Sequence, residues 1–324
     1  MGLLPVVHSQ SRYVTSKIAN SKRKQVMADS LAKQYKALLE APEILIMPGV
    51  FDGFSAAIVE KMGFKASFIS GAGISESALG LSDVGVMGLE DNLARARALV
   101  DVSTIPMQAD ADTGYGNAVN VYYTVRAFEK AGLSGVMIED QVWPKRCGHM
   151  KGKDVIPFDE SVAKIKAAAD ARVDSDFVIM SRTDTFAVHG LDDVVQRLNA
   201  FAEAGADLIF ADALLSEDAI IKVVENTSKP LCVNMGFGIR ARSTTPLIPA
   251  KRLQEIGVAA VIYPRLLTAG AVVGMTRALE GLQEAIASDD VIEKPELVAS
   301  FEEILDLTKF DFLTNLEKRY ATEE

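Results

Sequence analysis

Asp110, Asp112, Glu139 and Arg182 are the residues of this sequence best suited to chemistry on a small anion. Each follows or ends a short apolar run of the kind that reads as a buried strand. Such run ends read Ser70-Gly71-Ala72-Gly73, Asp110-Ala111-Asp112-Thr113-Gly114, Glu139-Asp140, Arg182-Thr183-Asp184, Asp212 and Asn234. Asp beside Gly is common in loops, so Asp112 or Asp140 taken singly reads equally well as a turn residue. Asp110, Asp112 and Glu139 on successive strand ends read differently, because gathered carboxylates are costly unless a cation neutralises them. A hard divalent ion with oxygen ligands suits that set, Mg²⁺ keeping several waters foremost. Arg182 beside the acids either binds a substrate carboxylate with its planar fork or closes the rim as an ion pair.

A second constellation is Lys145-Arg146-Cys147-Gly148-His149. Cationic neighbours lower a thiol's pKa, and an adjacent His can exchange protons with it. Gly148 and Gly152 suit a mobile lid. A solvated basic surface would explain the charges but not an exposed free Cys at position 147. Cys232, inside the apolar "PLCVN" run, reads as a small core residue, while His8 and His189 have no ligand-like spacing.

The elements that must position these groups alternate regularly. Apolar runs at 44–48, 66–70, 105–109, 135–139, 177–181, 207–211, 230–234 and 259–263 are separated by amphipathic stretches such as 119–130, 161–171, 191–203 and 250–255. Strands apolar on both faces are strands covered by helices. "KMGF", "EKAGLSG", "AEAGAD" and "QEIGVAA" each set a Gly between a helix and the next strand, the expected C-cap chemistry. Eight such units predict an α/β protein with a parallel (β/α)₈ barrel, where reactive groups sit at the C-terminal strand ends. No G-x-G-x-x-G opens a helix after the first strand, which argues against a dinucleotide-binding sheet. A helix over 30–39 precedes the barrel, and one more amphipathic stretch, 295–320, lies beyond it. The predicted organisation is an N-terminal arm and helix (1–40), a barrel (41–285) and a C-terminal helical extension (286–324). The apolar face of that extension calls for a covering partner subunit.

The 324 residues carry a formal charge of −10 with a pI near 5.0, which argues against a nucleic-acid-binding surface. No run is long and apolar enough to predict a membrane span. Only two cysteines occur, so no disulfide framework is expected and a cytoplasmic, reducing setting fits. Arg12, Lys17, Lys22, Arg23 and Lys24 precede the first acid, Asp29, a pattern that suits either a basic arm or an organelle transit peptide.

"SGAG…ALGLSD", "ADADTGYGN", "IEDQVWPKRCGH", "RTDTFAVHG" and "VNMGFG…TTPL" together resemble the isocitrate lyase/phosphoenolpyruvate mutase superfamily, closest to its methylisocitrate and 2,3-dimethylmalate lyase branch. The resemblance spans about residues 40 to 290. It implies a barrel whose last helix swaps between subunits in a homotetrameric dimer of dimers. It implies Mg²⁺, with Mn²⁺ as a substitute, at Asp110, Asp112 and Glu139 with Asp83 nearby. Ser70, Gly71 and Ala72 match the segment holding an α-oxo acid, and Arg182 the carboxylate-binding arginine. Cys147 matches a catalytic acid/base on a gating loop, Lys145, Gly148 and His149 its companions, and Asn234 the seventh-strand asparagine. The implied reaction is a retro-aldol cleavage of a 2-hydroxy dicarboxylate to pyruvate or glyoxylate and a carboxylic acid.

Two departures bear on the substrate. The sixth strand ends in Asp212 where the lyases usually carry Glu, and the turn after Asn234 is longer and bears Arg240 and Arg242. The other readings are oxaloacetate hydrolysis, phosphonopyruvate or phosphoenolpyruvate chemistry, which this Cys-bearing loop disfavours, and a dicarboxylate-binding barrel without turnover.

Overall fold

The structure, a computed structural model, describes residues 30–148, 150, 152–237 and 245–321. The basic arm before Ser30, His149, and Arg240 and Arg242 lie outside the described residues.

Eight parallel strands close into a barrel in sequence order: β1 (Leu45–Val50), β2 (Ser67–Ile69), β3 (Met107–Asp110), β4 (Gly135–Glu139), β5 (Val178–Thr183), β6 (Leu208–Ala211), β7 (Leu231–Asn234) and β8 (Ala260–Tyr263), with β8 pairing back onto β1. The predicted (β/α)₈ barrel is the observed fold. Alternation along each strand divides the core into two buried clusters. Met47, Phe68, Met137, Met180, Phe210 and Ile262 belong to one, with Cys232 fully buried among them. Val50, Ile69, Ala109, Val136, Ile138, Ile179 and Ile209 belong to the other, which packs under the helices. Helix Leu31–Leu39 joins the first cluster through Tyr35, whose hydroxyl donates to Gln108 of β3.

Helices cover the strands where the pattern placed them, at Ala118–Lys130, Phe158–Ala171, Leu191–Glu203 and Ala250–Ile256. Asn117 caps the first of these by accepting from the Val119 amide at 2.9 Å. The segment 70–79 is helical rather than an open loop. Ser70 caps a short helix, Gly71–Ile74, which continues as a π-helical turn, Ser75–Leu79.

The C-terminal region departs from the single stretch expected over 295–320. It forms a 3₁₀ turn, Pro295–Leu297, and two helices, Phe301–Leu307 and Phe310–Tyr320, because Lys309 adopts a left-handed φ of 59° between them. The preceding helix, Leu266–Ile286, leaves Val272, Met275, Leu279 and Ile286 exposed. No helix among the described residues is long and apolar enough to cross a membrane.

Candidate active site

β5 runs two residues beyond its apolar pattern, so Arg182 lies inside the sheet and pairs in register with Glu139 of β4. Its Nε lies 3.2 Å from Glu139 Oε2 and 2.8 Å from Asp184 Oδ2, and its Nη2 3.2 Å from Asp212 Oδ2. Burial disfavours the guanidinium charge, but Asp184, Asp212 and Glu139 outweigh it and hold its pKa far up. Asp184, buried and disfavoured as an anion for that reason, is nonetheless kept well below the usual carboxylate range by Arg182 and Lys153. Asp140 takes the structural of its two readings. It accepts from Thr183 Oγ1 (2.7 Å) and the Asp184 amide (2.9 Å) and pairs with Arg197 (3.2 Å), fixing the end of β5.

Across the mouth, Asn92 donates to the Asp110 carbonyl at 2.6 Å, and the Asp112 amide donates to Asp110 Oδ1 at 3.0 Å. Lys145 reaches in between two acids, 2.7 Å from Asp112 Oδ1 and closer still to Asp83. Burial raises the pKa of Asp110 and Glu139, and pushes Asp112 up to about 7 against the pull of Lys145.

The loop carrying the thiol is pinched at its base. Gln141 and Val155 form an antiparallel bridge, and the Gln141 side chain grips Arg146 through bonds of 2.9 and 3.0 Å. The Cys147 amide donates to the Asp83 carbonyl at 3.1 Å. The thiol is therefore buried, only 8% exposed, and not the exposed Cys that the sequence suggested. Packing of the loop over the barrel mouth is the reason. Lys153 latches it there, donating to the Gly148 carbonyl (3.0 Å) while pairing with Asp184 (2.8 Å) and Asp212 (3.2 Å).

Gly148 lies flat against Asp212, where an added Cβ would stand 2.0 Å from Asp212 Oδ2. Gly148→Ala therefore opposes loop closure. We expect kcat/KM to fall about tenfold or more from an overpacking cost of about 1–3 kcal/mol, with the melting temperature nearly unchanged. An unchanged kcat/KM in steady-state kinetics would show that this closed contact is not used in turnover.

Ser70, Ala72, Asp83, Asp110, Lys145, Cys147, Gly148, Arg182, Asp212 and Asn234 line one cavity of about 40 Å³ at the C-terminal strand ends. Gly71, Asp112 and Glu139 do not line it. Gly71 packs on Asp110, Asp112 lies behind Lys145, and Glu139 behind Arg182. Asp83, Asp110, Asp112 and Glu139 nonetheless all act on the charge of Lys145, although among the described residues no group of acids, His or Cys forms a ready metal cage. Arg265, which also lines the cavity, was missed. The signal was available, since it follows Tyr263-Pro264 at the end of β8, where the strand-end rule had only to be applied once more.

The residues nevertheless fit a cation that keeps much of its water. Asp112 Oδ2 and Glu139 Oε1 are buried without a hydrogen-bond partner among the described residues, and burial favours their protonated forms until positive charge arrives.

Fold and site together define a barrel enzyme with an acidic, lidded mouth. Residues 35–283 match the phosphoenolpyruvate phosphomutase family, and the chain belongs to that family. It is 39% identical over 292 residues to the 2,3-dimethylmalate lyase of Eubacterium barkeri, spanning 90% of this chain and 98% of that one. It is 38% identical over 237 residues to the 2-methylisocitrate lyase of Escherichia coli, spanning 72% and 78%. Among solved structures, an oxaloacetate acetylhydrolase bound to 3,3-difluorooxalacetate superposes with a TM-score of 0.83 at 29% identity, covering 91% of this chain and 98% of that chain. A phosphonopyruvate hydrolase solved with oxalate and Mg²⁺ superposes with a TM-score of 0.78 at 28% identity, covering 90% and 100%. The resemblance read from the motifs is borne out, and the chain is a carbon–carbon lyase of the isocitrate lyase/phosphoenolpyruvate mutase superfamily.

Proposed function

We propose that this enzyme cleaves a 2-hydroxy dicarboxylate of the alkylmalate or methylisocitrate type to an α-oxo acid and a carboxylic acid. The observation that carries the reading is the Cys147 thiol, folded down onto a cavity that Ser70, Asp110 and Arg182 also line. Asp110, Asp112, Glu139 and Asp83 would hold Mg²⁺, or Mn²⁺ in its place. The ion would supply Lewis-acid charge that eases ionisation of the substrate hydroxyl.

Ser70, Gly71 and Ala72 receive the α-oxo acid end, and Arg182 supports its carboxylate. A base in the cavity takes the hydroxyl proton as the C2–C3 bond breaks. The bond's electron pair goes to C3, and the Cys147 S–H delivers a proton to that carbon. Lys145 and Lys153 stabilise the closed loop by neutralising Asp83, Asp112, Asp184 and Asp212 beneath it. His149 belongs to the same loop motif. Closure keeps water from the carbanion. Gly148, Asp212 and Asn234 border the departing fragment, and the shorter Asp212 leaves room for a distal group unlike that of methylisocitrate.

The test is Mg²⁺-dependent release of pyruvate or glyoxylate from 2,3-dimethylmalate, 2-methylisocitrate, isocitrate, other alkylmalates and oxaloacetate. We expect one malate derivative to yield an α-oxo acid, with the activity lost in EDTA. The structural likeness to an oxaloacetate acetylhydrolase favours one second reading. Oxalate and acetate from oxaloacetate alone would establish it and overturn the first.

The exposed apolar side chains of Leu266–Ile286 and of the helices after it support a homotetramer built from helix-swapped dimers. Two buried cysteines, neither in a disulfide, suit the reducing cytoplasm.

A further inference from the structure

Among the described residues, three cations line the cavity, and two of them each pair with more than one carboxylate. Lys145 lies between Asp83 and Asp112, and Arg182 among Glu139, Asp184 and Asp212. Arg265 differs. Among the described residues its ion pair is with Glu76, bonded through Nη2, with Asp83 adding a weaker pull, while Nη1 donates to Cys147 Sγ at 3.4 Å. Sulfur is a weak acceptor, so a carboxylate oxygen arriving beside the thiol makes a far better bond with that donor. The Arg265 side chain is 26% exposed, so it is placed to meet a ligand rather than to hold the core.

The backbone that carries it is firmly seated. A Cβ at Gly49 of β1 would stand 2.4 Å from the Pro264 carbonyl oxygen, so only glycine lets the Pro264-Arg265 turn press against the barrel rim. Arg265 is also the N-cap residue of the 21-residue helix Leu266–Ile286, whose positive end adds to the potential there.

We propose that Arg265 is a specificity-determining residue, binding the carboxylate carried by the carbon that Cys147 protonates. The inference rests on the lyase reading and assigns a residue to the C3 carboxylate that such substrates carry. When C2–C3 breaks, its electron pair spreads from C3 onto that carboxylate, and the hydroxyl proton leaves to the base as C2 becomes a carbonyl carbon. The S–H proton then moves to C3, and the thiolate left behind is reprotonated from solvent when the loop opens. A guanidinium on the carboxylate opposes the charge that builds there. Its bond to the sulfur sets the donor over the same fragment. Glu76 occupies the arginine until the substrate carboxylate competes for it.

The test separates the two ends of the site. Pyruvate with Mg²⁺ probes the α-oxo acid end, and succinate added to that complex probes the departing end, both by calorimetry on the full chain. Arg265→Gln is expected to leave pyruvate affinity within about twofold and to weaken succinate about tenfold to a hundredfold. Arg265→Lys recovers part of the loss, and Glu76→Gln, which frees the guanidinium, strengthens succinate binding severalfold. On whichever malate the wild type cleaves, Arg265→Gln lowers kcat as well as raising KM. Equal weakening of pyruvate and succinate, an unchanged succinate affinity, or no succinate binding by the wild type would each overturn the proposal. Failure of the lyase reading shows separately, as a wild type that releases no α-oxo acid from any malate.

Discussion

Cys147→Ser is expected to bind pyruvate with Mg²⁺ as the wild type does and to turn over its malate about 10²–10⁴-fold more slowly, the usual contribution of a positioned general acid. The substitution is nearly isosteric. The amide that donates to the Asp83 carbonyl is kept, and the bonds from Gln141 to Arg146 are untouched, so the loop still closes. What changes is the acid. A serine hydroxyl is far less acidic than a thiol and transfers its proton to carbon correspondingly less well. Steady-state α-oxo acid release, run beside a pyruvate titration, separates the two effects. Turnover near the wild-type rate would remove Cys147 from the role of proton donor.

Arg182→Met is expected to cost about 3–5 kcal/mol of stability at neutral pH, the range for breaking a buried ion pair from one side. Methionine keeps the length of the side chain over Phe210, whose ring centroid lies 5.6 Å from the guanidinium. It leaves Glu139, Asp184 and Asp212 without their shared cation, and among the described residues only Lys153 still pairs with two of them. The pH dependence follows from Asp184, whose pKa the native site depresses. A depressed carboxylate stabilises the fold above its unfolded pKa, near 4, and loses that contribution as the pH falls. The gap between wild type and variant is therefore widest near pH 7 and narrows in acid. Urea midpoints at the two pH values measure it. Equal midpoints at pH 7 would mean that the acids find other compensation.

Much of this protein is legible in its local sequence. The apolar runs at 135–139 and 230–234 end where β4 and β7 end, because a strand buried on both faces must be continuously apolar. Where the reading fell short, a charged residue lay inside an element. The pattern stopped β5 at 181, whereas Glu139 on the neighbouring strand lets Arg182 remain in the sheet. The stretch after Pro295 kept its helical spacing, yet one left-handed residue, Lys309, divides it.

The barrel, and the acids, Arg182 and Cys147 set at its C-terminal strand ends, are written in local patterns. Period, glycine caps and strand-end chemistry are local properties, and each is written within a few residues. Which charges meet depends on folding. The tertiary structure folded Cys147 under the loop, placed Asp112 and Glu139 behind the cavity wall, and engaged Lys145 and Arg182 with carboxylates. It also brought Arg265 to the thiol across 118 residues of chain. Ion pairing depends on distance through space and on the water excluded between partners, and neither is encoded by spacing along the chain.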